Sequence, residues 1–312
     1  MSPASAPART RANGFAVVDK PAGPTSHDVV ARCRRIFSEK RAGHAGSLDP
    51  DATGVLLVGL GPSTRLMQFF SGLPKSYSAE IVLGVATTTL DAAGEVTATW
   101  DMGSVGLEDA RAAALALTGA IEQVPPMVSA LKVGGKRLHA LARAGIEVER
   151  AARRVEVTRF DIRPGTTGEH GPVLEAEVDC SAGTYVRVLA ADLGQSLGGG
   201  AHLRNLRRTA VGEFTLAEAV PLGDLEGMER PHDAVVAPAA ALRRVGAASA
   251  MVDAATAGRV AHGAVLALSE LEAAGASSPG PWAVSGPGGD LLAVYGPYRP
   301  GQAKPIVVLA TS

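Results

Sequence analysis

"VLEAEVDC" (173–180) decides the fold. Leu174, Ala176, Val178 and Cys180 alternate strictly with Glu175, Glu177 and Asp179, the period of a strand with one dry face and one wet face. "VEVTRFDI" (155–162) precedes it, and "RPGTTGEHGP" (163–172) supplies turn residues between the two, so the segment predicts an antiparallel hairpin. Further strands are expected at "GFAVVDK" (14–20), "GVLLVGLG" (54–61) and "KSYSAEIVLGV" (75–85). Helices are expected over "PTSHDVVARCRRIFSEK" (24–40), with Ser26 as N-cap, over "STRLMQFFSGLP" (63–74), and over "TYVRVLAADLGQSLG" (184–198). The order predicts an α+β domain on a mixed, largely antiparallel sheet.

Around residue 240 the texture changes. "HDAVVAPAAALRRVGAAS" (232–249) reads as a Pro/Ala-rich linker, followed by a helix near 252–261 and short strands "WAVSG", "LLAVYG" and "PIVVLA". "SELEAAGASSPGP" (269–281) reads as a flexible insertion. The division is a tail over 1–13 expected to be disordered, a main domain over 14–241 and a small β-rich domain over 242–312.

The chain has 312 residues and a formal net charge of -1, so global charge announces no partner. Its cations cluster in "RCRRIFSEKRAGH" (32–44), in "LKVGGKRLHALARAG" (131–145) with "ERAARR" after it, and in "LRNLRR" (203–208). Arginine dominates these runs, and its planar fork suits phosphate. Solvated faces explain such runs equally well. No apolar stretch reaches membrane-spanning length, and the basic opening lacks the apolar core of a secretion signal, so a cytoplasmic protein is expected. Cys33 and Cys180 give neither metal spacing nor a disulfide framework, and the histidines show no paired ligand spacing. "GLGPST" (59–64) lacks the lysine of a phosphate-binding loop. Neither a metal nor a nucleotide cofactor is implied.

"RAGHAGSLDPDATGVLLVGLG" (41–61) carries the main candidate chemistry. Asp49 before Pro50 can be a plain turn or helix cap, or a carboxylate held at a cleft floor by a loop entering a buried strand. Asp49 and Asp51, two apart around a proline, are poorly placed to face each other across a sugar. Tyr77 can pack in the core or stack on a base. Tyr185 and Arg187 open a helix, where the arginine can meet a phosphate or a carboxylate or be an ordinary surface arginine.

Six stretches carry a resemblance: "DKPAGPTSHDVV" (19–30), "GHAGSLDPDATGVLLVGLGPSTRL" (43–66), "KSYSAEIVLGVATTTLDAAGEV" (75–96), "PPMVSALKVGGKRLHALARAGIEVER" (125–150), "CSAGTYVRVLAADLG" (180–194) and "AHLRNLRRTAVGEF" (201–214). In that order they resemble the bacterial tRNA pseudouridine-55 synthases of the TruB type, and the tail resembles that family's short PUA-like domain. The resemblance implies the pseudouridine synthase fold and isomerisation of a uridine in the T-loop of tRNA without a cofactor. The base is flipped out, detached, turned and rejoined through carbon 5. It implies Asp49 as nucleophile, Tyr77 stacking on the base and aiding proton removal, and Arg187 pairing with Asp49. Tyr185 and Leu206 shape the pocket, Lys20 supports it, Asp91 lines the cleft and His44 holds the T-loop. A thumb insertion over about 122–154 clamps the RNA arm; Lys132, Lys136, Arg137, Arg143, Arg207 and Arg208 are the expected RNA contacts.

The match has departures. Ala45 and Ser47 stand where threonines are common, Val128 where a tyrosine is, and Thr88 where an acid is. Asp51 adds a charge expected to raise the pKa of Asp49 or repel phosphate. The expected protein is a monomer acting on the tRNA T-arm without membrane or guide RNA. The rival reading is a tRNA-binding folding chaperone with weak or no catalysis.

Overall fold

The computed structural model describes residues 12–129, 132–133, 136–137, 146, 148–276 and 279–309. Strands β1 (Gly14–Lys20), β2 (Ala42–His44), β3 (Thr53–Leu60) and β4 (Lys75–Leu83) come first. β5 (Val85–Thr87) pairs with β6 (Val96–Thr99), β7 (Gly119–Gln123) follows, and β8 (Lys132–Val133) pairs with β9 (Lys136–Arg137). β10 (Arg153–Thr167), β11 (Pro172–Cys180) and β12 (Ala201–Val211) complete the frame, with short strands β13 (Phe214–Thr215), β14 (Val220–Pro221) and β15 (Val235–Val236) at its margins.

The main sheet runs β14-β1-β3-β12-β4-β11-β10-β7. It is antiparallel except where β12 lies beside β3 and β14 beside β1, as the alternating pattern predicted. The β10–β11 hairpin is present, but β10 continues to Thr167, opposite Pro172, so the turn is tighter than the ten residues assigned to it. Glycines and threonines that read as loop pair here as strand, because a partner β11 supplies the missing hydrogen bonds.

Helices Leu107–Ala116 and Val186–Ser196 bury Ala110, Ala114, Leu189 and Leu193 against Ile81, Phe160, Val178 and Leu203 on one face of the sheet. Helix Ser26–Ile36 buries Val29, Val30 and Cys33 on β1 and β3. Thr25, not Ser26, caps it: its hydroxyl accepts from Asp28 N while Asp28 answers to the Thr25 amide. Ser26 is free for another partner. The stretch 63–74 is not one helix but a 3-10 turn, Gly61–Leu66, followed by Gln68–Ser71.

The β-rich C-terminal sheet orders β16 (Ala248–Met251), β18 (Trp282–Ser285), β19 (Leu291–Pro297), β20 (Gln302–Val308) and β17 (Leu266–Ala267). The segment read as a linker is folded: β15 pairs with β1, and helix Pro238–Arg243 buries Ala241 and Leu242. Those two join Phe15, Val55, Leu57, Ala283, Val294, Val307 and Leu309 in one cluster. Alanines that look like spacer are small enough to let this module close onto the main sheet. The start of the expected insertion is helix Leu268–Ala273; residues 277–278 lie outside the described residues. Ala12 is buried, and Asn13 accepts a hydrogen bond from Ser63, so the end of the expected tail is packed; residues 1–11 lie outside the described residues.

Candidate active site

Asp49 sits in the loop between β2 and β3, and three buried side chains hold that loop. Ser26 Oγ donates to Leu48 O at 3.1 Å and accepts from Leu48 N at 2.8 Å. Lys20, fully buried at the end of β1, donates to Pro21 O, Pro50 O and Ala52 O at 3.0, 2.7 and 2.7 Å. Arg208, on β12, donates to Gly46 O, Ser47 O and Val55 O at 3.1, 3.3 and 2.7 Å. The carbonyls on both sides of Asp49 are thus fixed, which places its carboxylate without binding it. Gly54 completes the geometry: at φ +102° a Cβ would lie 2.1 Å from Arg208 O, so only glycine lets β3 and β12 meet here.

The carboxylate itself faces Arg187. Arg187 Nη2 is 3.0 Å from Asp49 Oδ2, and Nη1 is 3.4 Å from Asp91 Oδ2. The same guanidinium donates to Thr89 O and Val128 O, so it is 5 % exposed and locked while Asp49 is 44 % exposed. Of the two partners open to an arginine near this helix start, it takes the carboxylates. Asp91 is held in turn by Thr89 Oγ1 and Ala93 N. Desolvation in the cleft pushes the Asp49 carboxyl above the usual range, Arg187 pulls it back, and Asp91 adds to the rise. The acid acting on Asp49 is therefore Asp91; Asp51 is exposed and acts on Lys20 instead.

Around this pair lies a cleft of about 270 Å³ whose lining includes Asp49, Tyr77, Tyr185, Arg187 and Leu206. Asp49, Arg187 and Leu206 also border a second hollow that contains Asp91 and Val128. Residues spread over the sequence thus meet at the middle of the sheet, where β12 passes between β3 and β4. Tyr77 stands opposite Arg208 in register, and burial pushes its phenol pKa up. Tyr185 stands at the N-cap of the helix: Gln123 accepts from its amide and donates to its carbonyl, and burial pushes its phenol pKa up. His44 lies edge-on to His27 at 5.4 Å; burial lowers its pKa to about 4, so it is neutral at pH 7.

One expected RNA contact, Arg208, is corrected, and another, Arg207, is found in an ion pair. Arg208 is 1 % exposed and committed to the loop carbonyls. Arg207 points the other way and forks onto Asp19 at 2.7 and 3.1 Å, with Thr53 as a further acceptor. The alternation of a strand sends neighbouring arginines to opposite sides, so a basic run within β12 is not one surface. Lys132, Lys136 and Arg137 fall on β8 and β9, but their side chains, and Arg143 altogether, lie outside the described residues. Ser26 as a loop latch and buried Lys75, which shares the cleft, were not singled out from the sequence. Their signal was a polar residue inside an apolar helix face and a lysine beginning a buried strand.

Comparison with known proteins gives the family. The model described as TruB family pseudouridylate synthase (N terminal domain) matches residues 34–186, and the tRNA pseudouridylate synthase B C-terminal domain matches 187–245. The chain is 44% identical over 299 residues to tRNA pseudouridine synthase B of Mycobacterium sp. (strain KMS), across 95% of this chain and 96% of that protein. It is 43% identical to the protein of that name from Arthrobacter sp. (strain FB24), across 96% and 97%. Among solved structures, a chain of a Cbf5-Nop10-Gar1 complex superposes with TM-score 0.66 at 28% identity, over 91% of this chain and 78% of that one. A chain of an H/ACA RNP bound to a substrate RNA containing 2'-deoxyuridine gives TM-score 0.65 at 25% identity, over 91% and 77%. The fold is that of the pseudouridine synthases, α+β with a β-rich C-terminal domain. With the family model and near-full-length relatives in agreement, this chain belongs to the TruB family of pseudouridylate synthases.

Proposed function

We propose that this enzyme isomerises uridine 55 in the T-loop of tRNAs to pseudouridine, with Asp49 as nucleophile. The observation that carries the reading is the Asp49–Arg187 pair at 3.0 Å on the floor of a cleft walled by Tyr77, Tyr185 and Leu206. An ionised carboxylate is needed to attack, and a locked arginine favours that form against a desolvating cleft. Arg187 pairs with one carboxylate oxygen, and the side chain stays 44 % exposed to the cleft. Tyr77 and Leu206 offer a stacking surface and an apolar wall that retain the detached base. Tyr77 also serves proton removal from carbon 5. Since a uridine in a folded T-loop cannot reach such a floor, it is flipped out, with neutral His44 supporting the loop. Lys132, Lys136, Arg137 and Arg143 of the thumb segment are proposed to grip the arm's phosphates. The main domain spans 14–241 and the PUA-like module 242–312. The protein acts in the cytoplasm as a monomer, without guide RNA.

The test is tritium release from unmodified tRNA transcript labelled with [5-³H]uridine, comparing wild type with Asp49→Asn. Release at the T-loop uridine by wild type alone, with RNA binding retained in the variant, supports the reading. Tight binding without release by wild type points to the chaperone or to a partner-dependent enzyme, and equal release by both proteins removes Asp49 from the mechanism.

A further inference from the structure

Arg208 heads the fully buried side chains by volume, and among the described residues no carboxylate lies within ion-pair distance of it. A guanidinium taken out of water without an anion is costly, and three carbonyls repay only part of that cost. Across the β4–β12 pairing it faces Tyr77, and Tyr77, Lys75 and Arg208 line the same cleft. The cation is thus built into the wall that links the Asp49 loop to Tyr77.

We propose that Arg208 is a positioning residue for proton transfer by Tyr77: it aims the phenol at the base and opposes the negative charge that develops on the phenol oxygen. The inference rests on the functional reading given above. After the base has rejoined ribose through carbon 5, the C5 proton passes to the Tyr77 oxygen as the phenol releases its own proton to solvent. The C5–H electron pair forms the C5–C6 double bond, the C6–N1 double-bond pair moves onto N1, and N1 takes a proton from solvent. Tyr77 ends as it began, and phenolate character exists only during the exchange. A buried cation beside the phenol, on the residue opposite it in the sheet, stabilises that moment more than the resting phenol. The same side chain holds Gly46 O and Ser47 O, so the group that removes the proton and the loop that carries the nucleophile share one anchor.

The experiment measures single-turnover isomerisation of tRNA transcripts carrying uridine or [5-²H]uridine. Wild type is compared with Arg208→Met, Arg208→Lys, Tyr77→Phe and the double variant Tyr77→Phe/Arg208→Lys, each checked for folding by thermal melting and for RNA binding. Arg208→Met is expected to slow the reaction by roughly 10²-fold and to raise the deuterium isotope effect, because C5 proton removal becomes the slow step. Arg208→Lys restores part of the rate, and its effect disappears when Tyr77 is phenylalanine. Slower turnover with an unchanged isotope effect, or an undiminished loss in the Tyr77→Phe background, overturns the proposal and leaves Arg208 a loop anchor only. Should Arg208→Met not fold, the lysine variant and the double variant decide by the same two readouts. An inactive wild type on bare transcript overturns the functional reading itself and this inference with it.

Discussion

Two charge-rich regions of this molecule are built on opposite principles. On the outer face of the β10–β11 hairpin, Arg159 meets Asp161, Glu177 and Asp179, and Arg163 meets Glu177, with half-exposed side chains throughout. Around the Asp49 loop, Lys20 and Arg208 are buried and spend their hydrogen bonds on backbone carbonyls. In the first region charge answers charge in water, where each pair is worth little. In the second, a few dry hydrogen bonds fix the shape of a loop, and each is expensive to lose. Charge count therefore does not separate the two regions; the burial of charge does.

Asp49→Asn should have the largest effect of any change to this contrast: isomerisation falls to background in the tritium assay. Its stability should not fall. A carboxyl with a raised folded-state pKa contributes stability at low pH that is lost as pH rises through that pKa, so the neutral amide removes a penalty at pH 7. Arg187 keeps Asp91, Thr89 O and Val128 O in the variant. A melting temperature clearly below wild type would mean that the Asp49–Arg187 pair is structural. The same shift predicts that activity is lost at a higher pH on acidification than an ordinary aspartate would give, readable in the acid limb of the single-turnover rate.

Lys20→Met comes next. It leaves three carbonyls around the loop without their donor, at a cost of about 1–3 kcal/mol in urea unfolding, and turnover falls by at least tenfold while RNA affinity is kept. Ser26→Ala removes a bond in each direction with Leu48, with an expected loss of about 1 kcal/mol and a smaller fall in rate. The mildest case is Arg159→Ala, expected to change stability by less than about 1 kcal/mol, less still at high salt, with turnover unchanged. If Arg159→Ala cost more activity than Ser26→Ala, the contrast between the regions would be broken.

Much of this was legible in the residues. Strict alternation exposed β11, and the ordered motifs around Asp49, Tyr77, Tyr185 and Arg187 named side chains that the fold brings to one cleft. What stayed hidden depended on tertiary context. Nothing local distinguishes Arg207 from Arg208, since the burial of one and the exposure of the other follow from which face of β12 meets the Asp49 loop. Ser26 looked like a cap because its hydroxyl's partner, Leu48, is 22 residues away. The alanine-rich stretch before residue 248 read as spacer because small apolar residues carry no period until something packs on them.

That packing has a consequence for how the chain comes off the ribosome. Val55 and Leu57 of β3 share a cluster with Val294, Val307 and Leu309, and Arg65 reaches Val308 O. Strand β3, which follows the Asp49 loop, therefore lacks part of the cover on one side until some 250 further residues have emerged. The frame of the Asp49 loop is among the first parts synthesised and among the last to be sealed, so a nascent chain stalled before residue 283 presents part of an apolar face to whatever chaperone is waiting.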